Sequence, residues 1–135
     1  RKNDGSILRQ EKETVKVAPL SALWMEEIRL PDLSIREEYI SYALYEEEEL
    51  LSSSSVILSV PKQFHYLDPE LTCRAEGKEI VISANAYAKS VEIQNENEDM
   101  ILSDNYFDMD AGEKRVRILL GEPEGLKVRS VYDIR

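Results

Sequence analysis

The spacing of apolar and polar positions makes this chain a succession of short strands. Glu38 to Tyr45 alternates cleanly, with Ile40, Tyr42 and Leu44 on one face and Tyr39, Ser41, Ala43 and Tyr45 on the other. Glu46 to Glu49 reads as the solvated tip of a hairpin, since consecutive carboxylates repel and do not converge on one cation. Leu50 to Val60 returns as a strand, serine-rich in its middle and β-branched at its end. Pro61 ends that sheet, Phe64, Tyr66 and Leu67 anchor a linker, and Asp68-Pro69 sets a turn. Leu71 to Glu76 and Glu79 to Tyr87 pair around Gly77-Lys78, with Ile80, Ile82, Ala84 and Ala86 pointing one way. Val91 and Ile93, Met100 to Leu102, Val116 to Leu120 and Leu126 to Ser130 supply further strands, punctuated by Gly, Pro, Asn and Asp. Short strands at this spacing predict an all-β sandwich.

The first thirty residues are less regular. Asp4-Gly5 suits a hairpin turn before Ile7-Leu8, and Thr14 to Ala18 alternates as a short strand ending at Pro19. Leu20 to Leu30 mixes helical and extended spacing and reads as a turn or one helical turn, then a strand to Arg29.

One stretch organises the rest. Ser103 to Lys114 sets two adjacent aromatics, four carboxylates and one glycine between the apolar runs Met100-Ile101-Leu102 and Val116 to Leu120. It reads as a strand end, a tight acidic loop plugged by buried Tyr106 and Phe107, and a new strand. Gly112 takes positive φ without steric cost where the chain reverses. Tyr106 is expected to bury its ring while its hydroxyl finds a backbone partner.

Charge narrows the partners. The net charge is −10, of which residues 1–67 carry −4 and residues 68–135 carry −6. A uniformly acidic chain with no cluster of Lys and Arg offers no footprint for nucleic acid or an anionic membrane. No apolar run approaches the ~20 residues that cross a bilayer as a helix. Cys73 is the single cysteine, so no disulfide forms within the chain and the compartment stays open. It is expected to pack as a small apolar residue on a strand.

Candidate chemistry is sparse, and no residue is assigned a catalytic, cofactor-binding or metal-binding role. His65 is the only histidine, so no zinc site of the usual nitrogen and sulfur ligands assembles with Cys73. Its place beside Phe64 and Tyr66 suggests a packed linker residue and gives no serine a triad partner. Asp104, Asp108, Asp110 and Glu113 are the best set for a hard cation, but their spacing departs from an EF-hand loop, and backbone-bonded turn acids are the expectation. A sugar platform needs aromatics on one exposed face; Tyr39 and Tyr45 share a strand face, with Trp24 unplaced, although such tyrosines more often cover a core or seam.

Three segments carry a family resemblance. Ser103-Asp104-Asn105-Tyr106-Phe107 followed by Ala111-Gly112-Glu113 resembles the last domain of β-mannosidase-like enzymes of glycoside hydrolase family 2. Ala86-Tyr87-Ala88-Lys89-Ser90-Val91-Glu92-Ile93 is similar to that domain's preceding strand, and Pro61-Lys62-Gln63-Phe64 with Asp68-Pro69-Glu70-Leu71 to the linker before it. The resemblance runs clearly from about Val56 to Ile134. It implies an immunoglobulin-like β-sandwich at residues 68–135, with residues 1–67 as the second half of a preceding, truncated sandwich plus linker. It further implies a non-catalytic scaffold in a retaining exo-glycosidase acting on terminal β-D-mannose. The two catalytic glutamates would lie in an upstream (β/α)₈ barrel, the implied partner, and no glutamate here stands in a matching motif. No cofactor is implied. A half sandwich exposes strand edges, so self-association through residues 1–67 is expected. The alternative is a stand-alone carbohydrate- or protein-binding module.

Overall fold

The structure, a computed structural model, describes residues 1–134. Strands β1 (Tyr39–Glu46) and β2 (Glu49–Ile57) form an antiparallel hairpin whose turn is Glu47-Glu48, so the four-glutamate run is its tip. A 3₁₀ turn at Pro61–Gln63 leads out of it. Strands β3 (Thr72–Glu76), β4 (Glu79–Ala84), β5 (Ala88–Gln94), β6 (Ile101–Leu102), β7 (Phe107–Met109), β8 (Gly112–Leu120) and β9 (Lys127–Arg129) follow. A short helix, α1 (Val131–Ile134), comes last. Its start is held reciprocally: Tyr132 N–H donates to Ser130 Oγ at 3.2 Å, and Ser130 N–H donates to Asp133 Oδ2 at 2.7 Å.

The strands make two antiparallel sheets, ordered β3-β4-β8-β6 and β7-β5-β9. After the β3–β4 hairpin, turned at Gly77 with φ +62, every connection between strands crosses from one sheet to the other. Both sheets therefore feed a single core. Ile80, Ile82, Ala84 and Val116 come from the four-stranded sheet, and Ala88, Val91, Ile93, Phe107 and Met109 from the three-stranded sheet. This is the expected sandwich. Cys73 packs against that core from β3, and burial raises its thiol pKa, as suits an inert apolar role.

The outer face of the larger sheet is a charge ladder. In register across β3, β4 and β8 lie Thr72–Ser83–Glu113, Arg74–Val81–Arg115 and Glu76–Glu79–Arg117. Val81 is fully buried on that outer face, where the flanking arginine stems cover it while their heads pair with Glu76, Glu79 and Glu113.

Residues before β1 depart from their sequence pattern. Arg1 and Tyr39 exchange backbone bonds, Arg1 N to Tyr39 O at 2.8 Å and Tyr39 N to Arg1 O at 2.9 Å, and Lys2 bridges Glu38. The chain then turns at residues 3–5, as Asp4-Gly5 suggested, but no strand follows. Thr14 to Ala18 and the run to Arg29 lie in no strand or helix. Alternation makes a strand only where a neighbouring strand takes its backbone groups, and no described strand lies beside them.

Candidate functional site

The acidic stretch is not a loop around two buried aromatics. Phe107-Asp108-Met109-Asp110 alternates with period two, and β7 uses both faces. Phe107 and Met109 enter the sandwich core, while Asp108 and Asp110 face the β1–β2 hairpin. That alternation was the available sequence signal, and it was masked by the density of turn residues around it. Only Phe107 is the plug. Tyr106 is 64% exposed at φ +59, with its hydroxyl donating to Glu92 Oε1 at 2.8 Å rather than to backbone. The left-handed backbone at Tyr106 turns its side chain outward, so that the next residue points inward.

Asn105 explains why the Asn-Tyr-Phe signature has an asparagine. Its Oδ1 accepts Ile93 N–H at 2.9 Å and its Nδ2 donates to Ile93 O at 3.1 Å. One amide side chain thus stands in for a strand partner beside β5, just where the ladder to β7 stops.

The centre of the site is Asp108. β5 carries a bulge there: Ala88 pairs with Met109 and Val91 with Phe107, so Lys89 and Ser90 together oppose Asp108. The bulge frees Ser90 N–H, which donates to Asp108 Oδ1 at 2.9 Å from a residue at φ +52. Lys89 Nζ reaches Oδ2 at 2.9 Å. From β2, Ser55 Oγ donates to the same oxygen at 2.5 Å. The serine hydrogen being spent on Asp108, the 2.6 Å contact between Ser55 Oγ and Tyr87 Oη has Tyr87 donating. Burial pushes the Asp108 carboxyl upward, but the bonds from Ser55, Lys89 and Ser90 N–H outweigh it and hold the group below the usual carboxylate range.

Asp110 repeats the device one step along. It accepts the Tyr39 hydroxyl at 2.7 Å and pairs with Arg1 Nε at 3.1 Å. Tyr39 and Tyr87 are stacked, with ring centroids 3.9 Å apart and planes inclined by 22°. Phe64 lies edge-on to Tyr87 at 5.9 Å and tilted against Tyr66 at 4.9 Å, completing a buried cluster from β1, the linker and the β4–β5 connection. Burial raises the Tyr39 and Tyr87 phenols, the former further through its bond to Asp110, and pushes Tyr66 up to about 12. Asn3 closes the seam: it donates N–H to Glu37 O at 2.7 Å and Nδ2 to His65 O at 2.7 Å, and accepts Tyr87 N–H at 3.1 Å. Gly5 sits so near the sandwich that a Cβ there would lie 2.7 Å from Ala111 Cβ.

The other sequence candidates do not converge. Asp104 pairs with Lys114, whose ammonium lies 3.8 Å from the Phe107 ring centroid, and Glu113 bonds Arg74 and Ser83. With Asp108 and Asp110 drawn into the seam, the four acids face four separate sets of partners. No group of three or more potential ligands is found among the described residues. The aromatic face divides likewise. Tyr39 is buried in the stack, whereas Tyr45 and Trp24 are exposed, at 54% and 94%, and Trp24 stands on the irregular segment. His65 is an exposed linker residue with Nδ1 3.6 Å from Glu37 Oε1, held through its backbone rather than packed. Beside it, Phe64, Tyr66, Val131 and Ile134 line an apolar bay of about 470 Å³, with Lys62 on its border.

Sequence comparison adds the family. No curated protein matches the chain. The family profile Ig_mannosidase, described as an Ig-fold domain, matches residues 66–134, just over half of the chain. The matched span holds both sheets, the Asn105 clip and the acidic strand; this chain belongs to the mannosidase Ig-fold domain family.

Proposed function

We propose that this chain is the non-catalytic C-terminal scaffold of a family 2 retaining exo-glycosidase, a β-mannosidase releasing terminal β-D-mannose. In this reading residues 68–135 are the terminal immunoglobulin-like domain, and residues 1–67 are the second half of the preceding sandwich with its linker. The family match supports the mannosidase association. The observation that carries the scaffold role is the Asp108 cluster, which ties β2, β5 and β7 through one carboxylate.

A retaining mechanism needs two carboxyl groups about 5–5.5 Å apart, one nucleophile and one acid/base, both free to meet the sugar. The acids of the seam are instead engaged by Lys89, Ser55, Tyr39 and Arg1. They hold geometry, and the chemistry belongs to an upstream barrel. The scaffold's contribution is rigidity: a fixed angle between successive sandwiches keeps the apolar bay by Phe64, Tyr66 and Val131 in place for packing against the rest of the enzyme.

The test is to assay the protein that carries this chain against aryl β-glycosides, beside its Asp108→Asn variant. Expected is mannoside hydrolysis with retention, an unchanged kcat in the cold, and a shortened half-life on heating in the variant. Cleavage of no glycoside would overturn the enzyme assignment in favour of a binding module. A variant with wild-type thermal stability would overturn the scaffold role of the seam.

A further inference from the structure

We propose that the sandwich pairs with a second copy of itself, about a twofold axis, through an apolar patch of Ile101, Leu119 and Leu120 at the end remote from the seam. A bulge makes the patch. Val116 lies in the core and Ile118 packs against it, so strict alternation along β8 would carry Leu120 inward as well. Instead β6 and β8 slip: Leu102 pairs with Ile118 but Ile101 with Leu120, which leaves Leu119 as the extra residue. Both leucines then face solvent, 60% and 61% exposed, with Ile101 beside them at 52%. Three such side chains make a patch on the order of 300 Å², a size at which exposed apolar surface often serves an interaction. Chain that precedes Arg1 or follows α1 sets out from the opposite end. Arg1 bonds Tyr39 and Asp110 in the seam, and Val131 and Tyr132 of α1 pack on the tyrosine cluster there. β8 starts at that same end, beside Ala111 and Gly5, and its nine residues carry Leu120 about 27 Å away.

Charge says what fits there. Beyond the leucines stand two acids, Asp99 and Glu122. Gly121, at φ +88, lets their segments run side by side, since a Cβ there would lie 2.9 Å from Met100 Cα. Asn95 Nδ2 ties them, donating to Asp99 Oδ1 at 2.7 Å and Glu122 O at 3.0 Å. On the near side of the leucines stands Arg117, whose carbonyl accepts Ser103 N–H at 2.9 Å. Its register neighbour Glu79 is taken by Arg115. Among the described residues Arg117, Asp99 and Glu122 therefore make no ion pair, and all three are exposed. Cation, apolar patch and anions follow one another across the surface. A twofold axis through the leucines lays Arg117 of each copy on Asp99 and Glu122 of the other, with apolar side chains meeting between them. An apolar patch ringed by one sign of charge would repel its own copy; this one is complementary to itself, which offsets the approach of two chains of net charge −10. Being isologous, the contact closes at two copies. It is smaller than the ~800 Å² per partner of a standard interface, so the association is reversible.

The experiment is sedimentation equilibrium on the protein that carries this chain, beside Leu119→Asp, Arg117→Glu and Glu122→Lys. Expected is a reversible association that each variant weakens about tenfold or more, because the twofold axis counts every change twice. An equimolar mixture of the Arg117→Glu and Glu122→Lys proteins should recover it. In that mixed dimer each new charge meets its opposite across the axis, while the unchanged Arg117 and Glu122 meet each other. A protein that sediments as a monomer up to ~0.1 mM overturns the proposal. So does association that all three variants leave unchanged, which would place the contact elsewhere, and so does a mixture that stays as weak as its components. The two charge reversals lie at exposed positions outside the core, so they decide the matter even if Leu119→Asp folds poorly.

Discussion

Replacing Asp108 with asparagine isolates the chemistry of the seam at almost constant volume. The asparagine oxygen still accepts from Ser90 N–H, but its amide group now points donors at the Lys89 ammonium and the Ser55 hydroxyl. The side chains of Asp108 and Lys89 are 10% and 22% exposed, so the variant leaves a largely desolvated ammonium without its counter-charge. Breaking a fully buried pair costs about 3–5 kcal/mol, and the residual water at Lys89 lowers the expectation to about 2–4 kcal/mol. The same figure follows from losing two charge-assisted bonds at ~1.5 kcal/mol or more each. The corresponding fall in melting temperature is on the order of 10–20 °C. Urea unfolding followed by tyrosine fluorescence measures the loss, and hydrogen exchange locates it. Exchange in β2 and the β5 bulge should rise before exchange in β4 and β8.

The pH dependence supplies a second, independent reading. A carboxyl whose folded pKa is depressed adds stability that is complete above its unfolded value, about 4, and is lost as pH falls through the lower folded value. The difference between wild type and Asp108→Asn should therefore be flat from pH 5 to 8 and close only below about pH 4. A difference within about 0.5 kcal/mol at pH 7, or one that persists unchanged in acid, would refute the claim that the ionised carboxylate is what holds the seam.

Two further outcomes follow from the same geometry. Asn105→Ala removes both bonds to Ile93 and should lower stability by about 1–3 kcal/mol in urea unfolding, because Ile93 N–H is left unpaired; a loss below about 0.5 kcal/mol would show that water replaces the clip. In an ultraviolet titration, Tyr39, Tyr66 and Tyr87 should stay protonated past the ordinary tyrosine value near 10, Tyr66 to about 12. Their raised values add stability that is complete below about pH 10 and falls away above it; full, reversible ionisation of all seven tyrosines near pH 10 in the folded chain would contradict the buried stack.

Much of this protein was legible without coordinates. Alternation in Tyr39 to Tyr45, the Gly77-Lys78 turn and the runs around Ile80, Ile93 and Val116 determine an all-β chain, because a period of two has only one way to bury an apolar face. The Asn-Tyr-Phe and Ala-Gly-Glu motifs carry the family likeness, since each is read locally: a side-chain clip, an outward tyrosine, an inward phenylalanine. What sequence could not supply was partnership across distance. Thr14 to Ala18 has the pattern of a strand yet lies in none, because pairing is a property of two segments. The alternation of Phe107-Asp108-Met109-Asp110 sets Asp108 and Asp110 on one strand face, apart from Asp104, but nothing local says that Ser55, Tyr39 and Arg1 will meet that face. The bulge that exposes Ser90 N–H, and the arrival of Ser55, Tyr39 and Arg1 from elsewhere in the chain, exist only once the sheets have packed. Local sterics write strands and turns into the sequence; the electrostatics of a buried seam depend on which groups folding places within 3 Å of one another.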